Sequence, residues 1–259
     1  MSDRSPLAGF ARSPILWAGL LFLASIALMP RLAPLFAAAF PAIEPPIYGG
    51  DSFFTLWLFH AALVAISSLA AIAIGITAGV FATRETGSAF RPLLEALATI
   101  GQTFPPVAVL AIAVPALGYG AEPTFVALTL YGILPILKNT IAGIASVPAV
   151  IREAATGMGM TRFEILRKVE LPLAASIILA GIRTSIVINI GTATIGSTVG
   201  AVTLGTPIIG GLVSDKVSYV IQGAIVVGLF AILTDLVFER LDRRLRRFAV
   251  DDRGRGARE

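Results

Sequence analysis

The chain is predicted to be all-α, a polytopic bundle of about six membrane-crossing helices, on three observations. Hydrophobic residues make up 56% of its 259 positions and charged residues only 14%, where a soluble domain carries roughly 25% charge. Residues 53–83, 96–121 and 184–214 hold no formal charge, and a helix rising about 1.5 Å per residue needs roughly 20 residues to cross a hydrocarbon core of about 30 Å. The positive residues, finally, fall mostly at the ends of the apolar runs and in the loops between them. A soluble protein buries one such helix, but hardly several in so short a chain.

The spans are expected at residues 14–37, 53–82, 92–117, 122–146, 173–196 and 217–238. The first follows two arginines and ends in "LFAAAFPA", so a cleaved signal peptide is the alternative reading. Its apolar run is long for a signal's core, and the other five spans keep their orientation either way. The second is uncharged up to Arg84; its His60 is expected as a packed interfacial residue and not a proton relay. The third contains Gln102-Thr103-Phe104-Pro105-Pro106 and Pro115, whose missing amide hydrogens predict bends. The carbonyls freed there, with Gln102 and Thr103, either accommodate packing or line a cavity. Tyr131, Lys138 and Asn139 lie on the fourth. The fifth alternates small and polar residues in "TSIVINIGTATIGSTVG", which lets helices approach closely. Asn189 leads the pathway candidates there, ahead of Thr192 and Thr194, because an amide in hydrocarbon needs a partner or water. Arg183 on the same span, and Asp235 near the end of the sixth, are assigned structural roles.

Charge then orients the spans. Sixteen Lys and Arg lie in residues 1–13, 83–91, 147–172 and 239–259, against two, Arg31 and Lys216, toward the opposite side. Because positive loops stay in the cytoplasm, both termini and the 147–172 loop are placed inside. This distribution accounts for the net charge of +4 without nucleic acid as a partner. The basic tail, 239–259, reads as a stop-transfer signal and lipid-headgroup anchor, with residues 251–259 expected to be disordered. With no cysteine and one histidine, disulfides, thiolate metal sites and a cysteine nucleophile are excluded, and no catalytic or metal-ligating residue is assigned.

The inner loop contains "IREAATGMGMTRFEILRKVELP" at residues 151–172, which reads as helix, turn, helix. Ser146 is expected to cap the first helix, with Pro148 in its opening turn, and Gly157-Met158-Gly159 to form the turn. Thr161 caps the second helix, and Glu164 three residues on completes a capping box. Pro172 is expected to close that helix and start the next span. Ala154 and Ala155, expected exposed, carry so little bulk that a partner's groove could approach the backbone; an amphipathic helix lying on lipid is the alternative.

Glu153-Ala154-Ala155, then Gly159, then Val169, Leu171 and Pro172, resemble the EAA loop of permease subunits in bacterial ABC importers, with Val169 where isoleucine is usual. The resemblance implies the type I importer permease architecture, in which Glu153, Ala154, Ala155, Gly157, Gly159, Leu171 and Pro172 couple to a cytoplasmic ATPase dimer. No G-x-x-x-x-G-K-S/T sequence occurs in the chain, so ATP and magnesium are expected in that partner and no cofactor in this subunit. A second permease copy or paralogue, an extracytoplasmic binding protein and a bacterial cytoplasmic (inner) membrane location are implied as well. "GQTFPPVAVLAIAVPALGYG", "LYGILPILKNTIAGI", "EAATGMGMTRFEILRKVELP" and "AGIRTSIVINIGTATIGSTVGAVTLG" further resemble the osmoprotectant subfamily, implying import of glycine betaine, choline, carnitine or similar solutes.

Candidates for the translocation path are Gln102, Thr103, Tyr131, Asn139, Asn189, Thr192 and Thr194. Aromatic faces attract quaternary ammonium cations, yet Tyr119, Tyr131 and Tyr219 are dispersed along the chain, which assigns most of the selection to the binding protein. The rival readings are a permease for another small solute such as an amino acid, an ion-coupled carrier, and a membrane scaffold. Against the carrier, Glu95 and Asp235 lie near span ends, whereas coupling carboxylates sit at mid-membrane.

Overall fold

The computed structural model describes residues 13–255, with side chains through residue 245. The amino-terminal segment 1–13, expected in the cytoplasm, lies outside the described residues except for Ser13, as do residues 256–259 of the tail. In chain order, α1 (Pro14–Leu28) passes through a 3₁₀ turn into α2 (Ala33–Ala39). Next come α3 (Phe53–Ala82), α4 (Arg91–Thr103), α5 (Pro106–Leu117) and α6 (Ala121–Ala145). The loop helices are α7 (Ala149–Gly157) and α8 (Arg162–Ile165), followed by a π-turn (Leu166–Glu170) that leads into α9 (Leu171–Ala193). A 3₁₀ segment (Thr194–Val199), α10 (Thr206–Val213) and α11 (Val217–Arg255) complete the chain. Among the described residues five helices are long and apolar enough to cross a membrane, six if the bent α4–α5 pair counts as one span.

The bend expected in the third span is present, at 94° between its halves, and two other expectations need correction. Phe104 is extended there, at φ −66° and ψ 135°, because the ring of a following proline excludes the helical region, and neither Pro105 nor Pro106 supplies an amide hydrogen. The second loop helix does not stop before Pro172. It runs on through the π-turn, where the Leu171 N–H donates to the Leu166 carbonyl, and the wider turn absorbs a proline with no N–H to give. The sixth helix continues to Arg255, so residues 251–255, expected to be disordered, are helical. No proline interrupts α11, and Glu239 pairs with Arg243 one turn on at 2.9 Å.

Two compact units are present. The first draws on residues up to 66, 106–128 and 189–237; the second on 67–105, 129–188 and those from 238 on. Phe22, Met29, Phe36, Phe53, Leu56, Leu204 and Val226 form a core of the first. The proline-rich loop before α3 is strapped down by α11: Gln222, fully buried, donates to the Pro46 carbonyl at 2.8 Å and accepts the Tyr48 N–H at 3.0 Å. In the second unit small residues set the helix spacing, as packing contact and not hydrophobic transfer holds helices together in lipid. A Cβ on Gly79 of α3 would fall 2.6 Å from that of Thr140 on α6, and one on Gly181 of α9 would fall 2.7 Å from the Pro135 carbonyl oxygen. Leu20, Leu69 and Ile112 point outward, as a lipid-facing surface requires.

Candidate functional site

The loop helix α7 is closed by local chemistry. Its C-terminal carbonyls have no intrahelical donors, and two of them are satisfied by a Schellman pair: Met160 N–H to the Ala155 carbonyl at 3.1 Å and Gly159 N–H to the Thr156 carbonyl at 2.9 Å. Closing this turn places Gly159 at φ +79°, a left-handed conformation that costs a residue with a Cβ roughly 1–2 kcal/mol. Gly157, by contrast, is the last helical residue. At the start of α7 the expected cap is absent. Pro148 occupies the N-cap position without a side-chain hydrogen bond, and the Ser146 hydroxyl donates backward to the Gly143 carbonyl at 2.7 Å.

The Thr161–Glu164 capping box is present in both directions. Lys168, 2.8 Å from Glu164, and the Thr161 N–H and hydroxyl hold the Glu164 carboxyl down to about 2, so it is ionised at neutral pH. Of the paired alanines only Ala154 is exposed. Ala155 is 2% exposed, which corrects the expectation, because the 100° step between neighbours on a helix turns one of them toward the body. Val150, Ala154 and Met158 follow at intervals of four on the outer side, with Val150 68% and Met158 75% exposed. The result is two bulky apolar side chains around a shallow notch at Ala154, with Glu153 exposed beside it.

Behind this surface lies an ion cluster that sequence reasoning missed. Glu170, the last residue of the π-turn, is 3% exposed. Its Oε2 is 2.7 Å from Arg84 Nη2 and its Oε1 is 3.6 Å from Arg152 Nη1. Arg162 and Glu85 make a second, exposed pair at 2.6 Å. These residues, with Thr83, Thr86, Thr156 and Ile165, surround a cavity of about 430 Å³. The available signal was a lone carboxylate between Val169 and Leu171, at an otherwise apolar junction.

Of the pathway candidates, Gln102 and Tyr131 are brought together. Pro135, four residues after Tyr131, has no N–H to give, so the Tyr131 carbonyl lacks its helical partner; Gln102 Nε2 donates to it at 2.7 Å. Tyr131 in return donates its hydroxyl to the Phe104 carbonyl at the α4–α5 break. Gln102 thus serves a carbonyl freed by proline, and Tyr131 one left at the extended residue between α4 and α5. Replacing Tyr131 by Phe leaves that carbonyl unserved and is expected to cost about 1–3 kcal/mol, read as a lower unfolding temperature in detergent.

The remaining candidates are not gathered with that pair. Thr103 is exposed and donates to the Ile100 carbonyl at 2.9 Å. Asn139 donates to the Pro135 carbonyl at 2.8 Å and packs beneath Gly181. Asn189 is fully buried, Thr192 half-buried, and Thr194 donates to the Gly191 carbonyl at 2.7 Å. His60 is a fully buried packing residue: its Nδ1 accepts the Leu204 N–H at 3.3 Å, and its ring meets Phe230 edge-on.

Comparison with known proteins agrees with this architecture. The chain is 40% identical to the osmoprotectant import permease protein OsmY of Salmonella typhimurium, over 72% of this chain and 79% of that protein. It is also 40% identical to the choline transport system permease protein OpuBB of Bacillus subtilis, over 72% of this chain and 85% of that one. Among solved structures, the MetNI methionine ABC transporter in an inward-facing form superposes with a TM-score of 0.66 at 21% identity, over 74% of this chain and 95% of that chain; the likeness is one of fold, the type I importer permease architecture. Residues 72–247 match the family described as "Binding-protein-dependent transport system inner membrane component", and the chain therefore belongs to that family of multi-pass inner-membrane permeases.

Proposed function

We propose that the chain is the membrane-spanning subunit of an ATP-driven importer for glycine betaine, choline, carnitine or a chemically similar solute. The observation that carries the reading is the exposed α7 surface. A short helix closed by Gly159 presents Val150, Glu153, Ala154 and Met158 away from the body, and of these Glu153 and Ala154 are positions that resemble a coupling loop. A separate ATPase dimer binds ATP and magnesium, grips α7 and drives the change of access; a second permease copy or paralogue completes the pathway. Both termini and the α7 loop lie in the cytoplasm, and an extracytoplasmic binding protein delivers the solute. The names of the relatives above support this solute class. Selection rests mainly with the binding protein: Tyr131 spends its hydroxyl on backbone, and the chain's own Lys216 covers the Tyr219 ring, with Nζ 5.2 Å from its centroid.

Reconstituted with its ATPase and binding protein in proteoliposomes, the permease takes up radiolabelled glycine betaine or choline only when ATP reaches the ATPase. Uptake that follows a proton or sodium gradient and ignores ATP contradicts the proposal. Heating the cognate binding protein with a panel of betaines, choline, carnitine and amino acids identifies the solute, through the ligand that raises its unfolding temperature.

A further inference from the structure

We propose that Glu170, held between Arg84 and Arg152, is a positioning residue that passes the movement of α7 into α3 and α9; this rests on the importer reading above. Glu170 is the only carboxylate among the buried polar residues described. A carboxylate taken out of water needs charged partners in good geometry, and its two oxygens find them on two different segments. Arg84 lies in the turn that closes α3, its N–H donating to the Phe81 carbonyl at 3.0 Å. Arg152 is on α7 itself. Glu170 ends the π-turn immediately before Leu171, the first residue of α9. One buried group thus ties the loop helix to the ends of two membrane helices.

The alternatives for transmitting force are weaker. The Arg162–Glu85 pair is 81% and 77% exposed, and exposed pairs hold little in water. The Schellman turn connects α7 to α8 only along the chain. The cavity beside the cluster, about 430 Å³, leaves the guanidinium groups room to change rotamer while the carboxylate stays in place. The joint can therefore pivot without coming apart.

The charge can be removed without leaving a buried ion unpaired. In Glu170→Gln the groups left unpaired are Arg84 and Arg152, whose side chains are 30% and 38% exposed, so their long stems can carry the charge to water. Solute imported per ATP hydrolysed is measured for the complete transporter in proteoliposomes, with glycine betaine and choline as probes. The Glu170→Gln variant is expected to retain its ATPase on purification and to import about fivefold less solute, or less still, per ATP. Arg152→Gln keeps the Arg84–Glu170 pair and is expected to lower the ratio by a smaller factor. Less protein with an unchanged ratio marks a purely structural role, and loss of ATPase binding marks a docking role; either overturns the proposal. An unchanged ratio in Arg152→Gln overturns it even if Glu170→Gln does not fold. A wild-type transporter that imports nothing on ATP overturns the importer reading instead.

Discussion

With arginine in place of Ala154, the permease is expected to lose its ATPase and, with it, ATP-driven uptake. Ala154 lies at the bottom of the notch between Val150 and Met158, the position where a partner's surface comes nearest to the α7 backbone under the proposed docking. A long charged side chain there pushes the partner away and leaves a guanidinium facing an apolar contact. Central interface residues of this kind are worth at least about 2 kcal/mol, roughly thirtyfold in the dissociation constant. Insertion and folding are expected to be unaffected, since Ala154 is exposed and arginine is a good helix former. Retention of the ATPase on the tagged permease during purification measures the effect. An Ala154→Arg variant that retains its ATPase at wild-type level removes α7 as the docking surface.

Gly205→Ala, the addition of a single methyl group, is expected to destabilise the fold severely. A Cβ at this position falls 2.0 Å from the Thr194 carbonyl oxygen and 2.6 Å from two further Thr194 backbone atoms. Side chains rotate out of such contacts, but backbone cannot, so the 3₁₀ segment or the start of α10 must shift. Both are committed already. The Gly205 N–H donates to Thr203 Oγ1 at 2.9 Å, and Thr203, fully buried, shares a hydrogen bond with Ser197 at 2.8 Å. The expected loss is about 3 kcal/mol, the upper end of ordinary overpacking. Gly210→Ala serves as the control: nothing lies within 4 Å of its Cβ, and alanine within a helix is favoured over glycine by roughly 0.5–1 kcal/mol. Thermal unfolding in detergent is expected to separate the two variants clearly, and equal midpoints would refute the packing argument.

The parts of this structure that were legible in the sequence are the parts decided locally. Uncharged runs of sufficient length mark the spans, because a bilayer demands internally bonded helices whatever their neighbours. The Thr161–Glu164 box and the Gly159 turn are readable for the same reason, since each needs only residues within six of one another. What could not be read depends on distant partners. Pro105 and Pro106 announced a bend, but not the contact made at it, where Tyr131 of α6 donates to the Phe104 carbonyl and accepts Gln102 of α4 on its own carbonyl. Burial of Ala155 and exposure of Ala154 follow from how α7 is rotated against its support, which the pattern of a nine-residue helix does not specify. Arg84 and Glu170 are 86 residues apart, and nothing in either neighbourhood names the other. The helical tail is a different kind of miss: charge density argued for disorder, while residues 239–253 contain neither glycine nor proline.

The central claim is that the α7 loop faces the cytosol, where an ATPase grips it. The chain's lack of cysteine makes a single Glu153→Cys substitution a clean reporter of side. A membrane-impermeant maleimide is expected to leave that residue unlabelled in intact spheroplasts, to label it in inverted vesicles stripped of ATPase, and to lose the signal when the ATPase is restored. Labelling from the outer surface of intact spheroplasts would contradict the account.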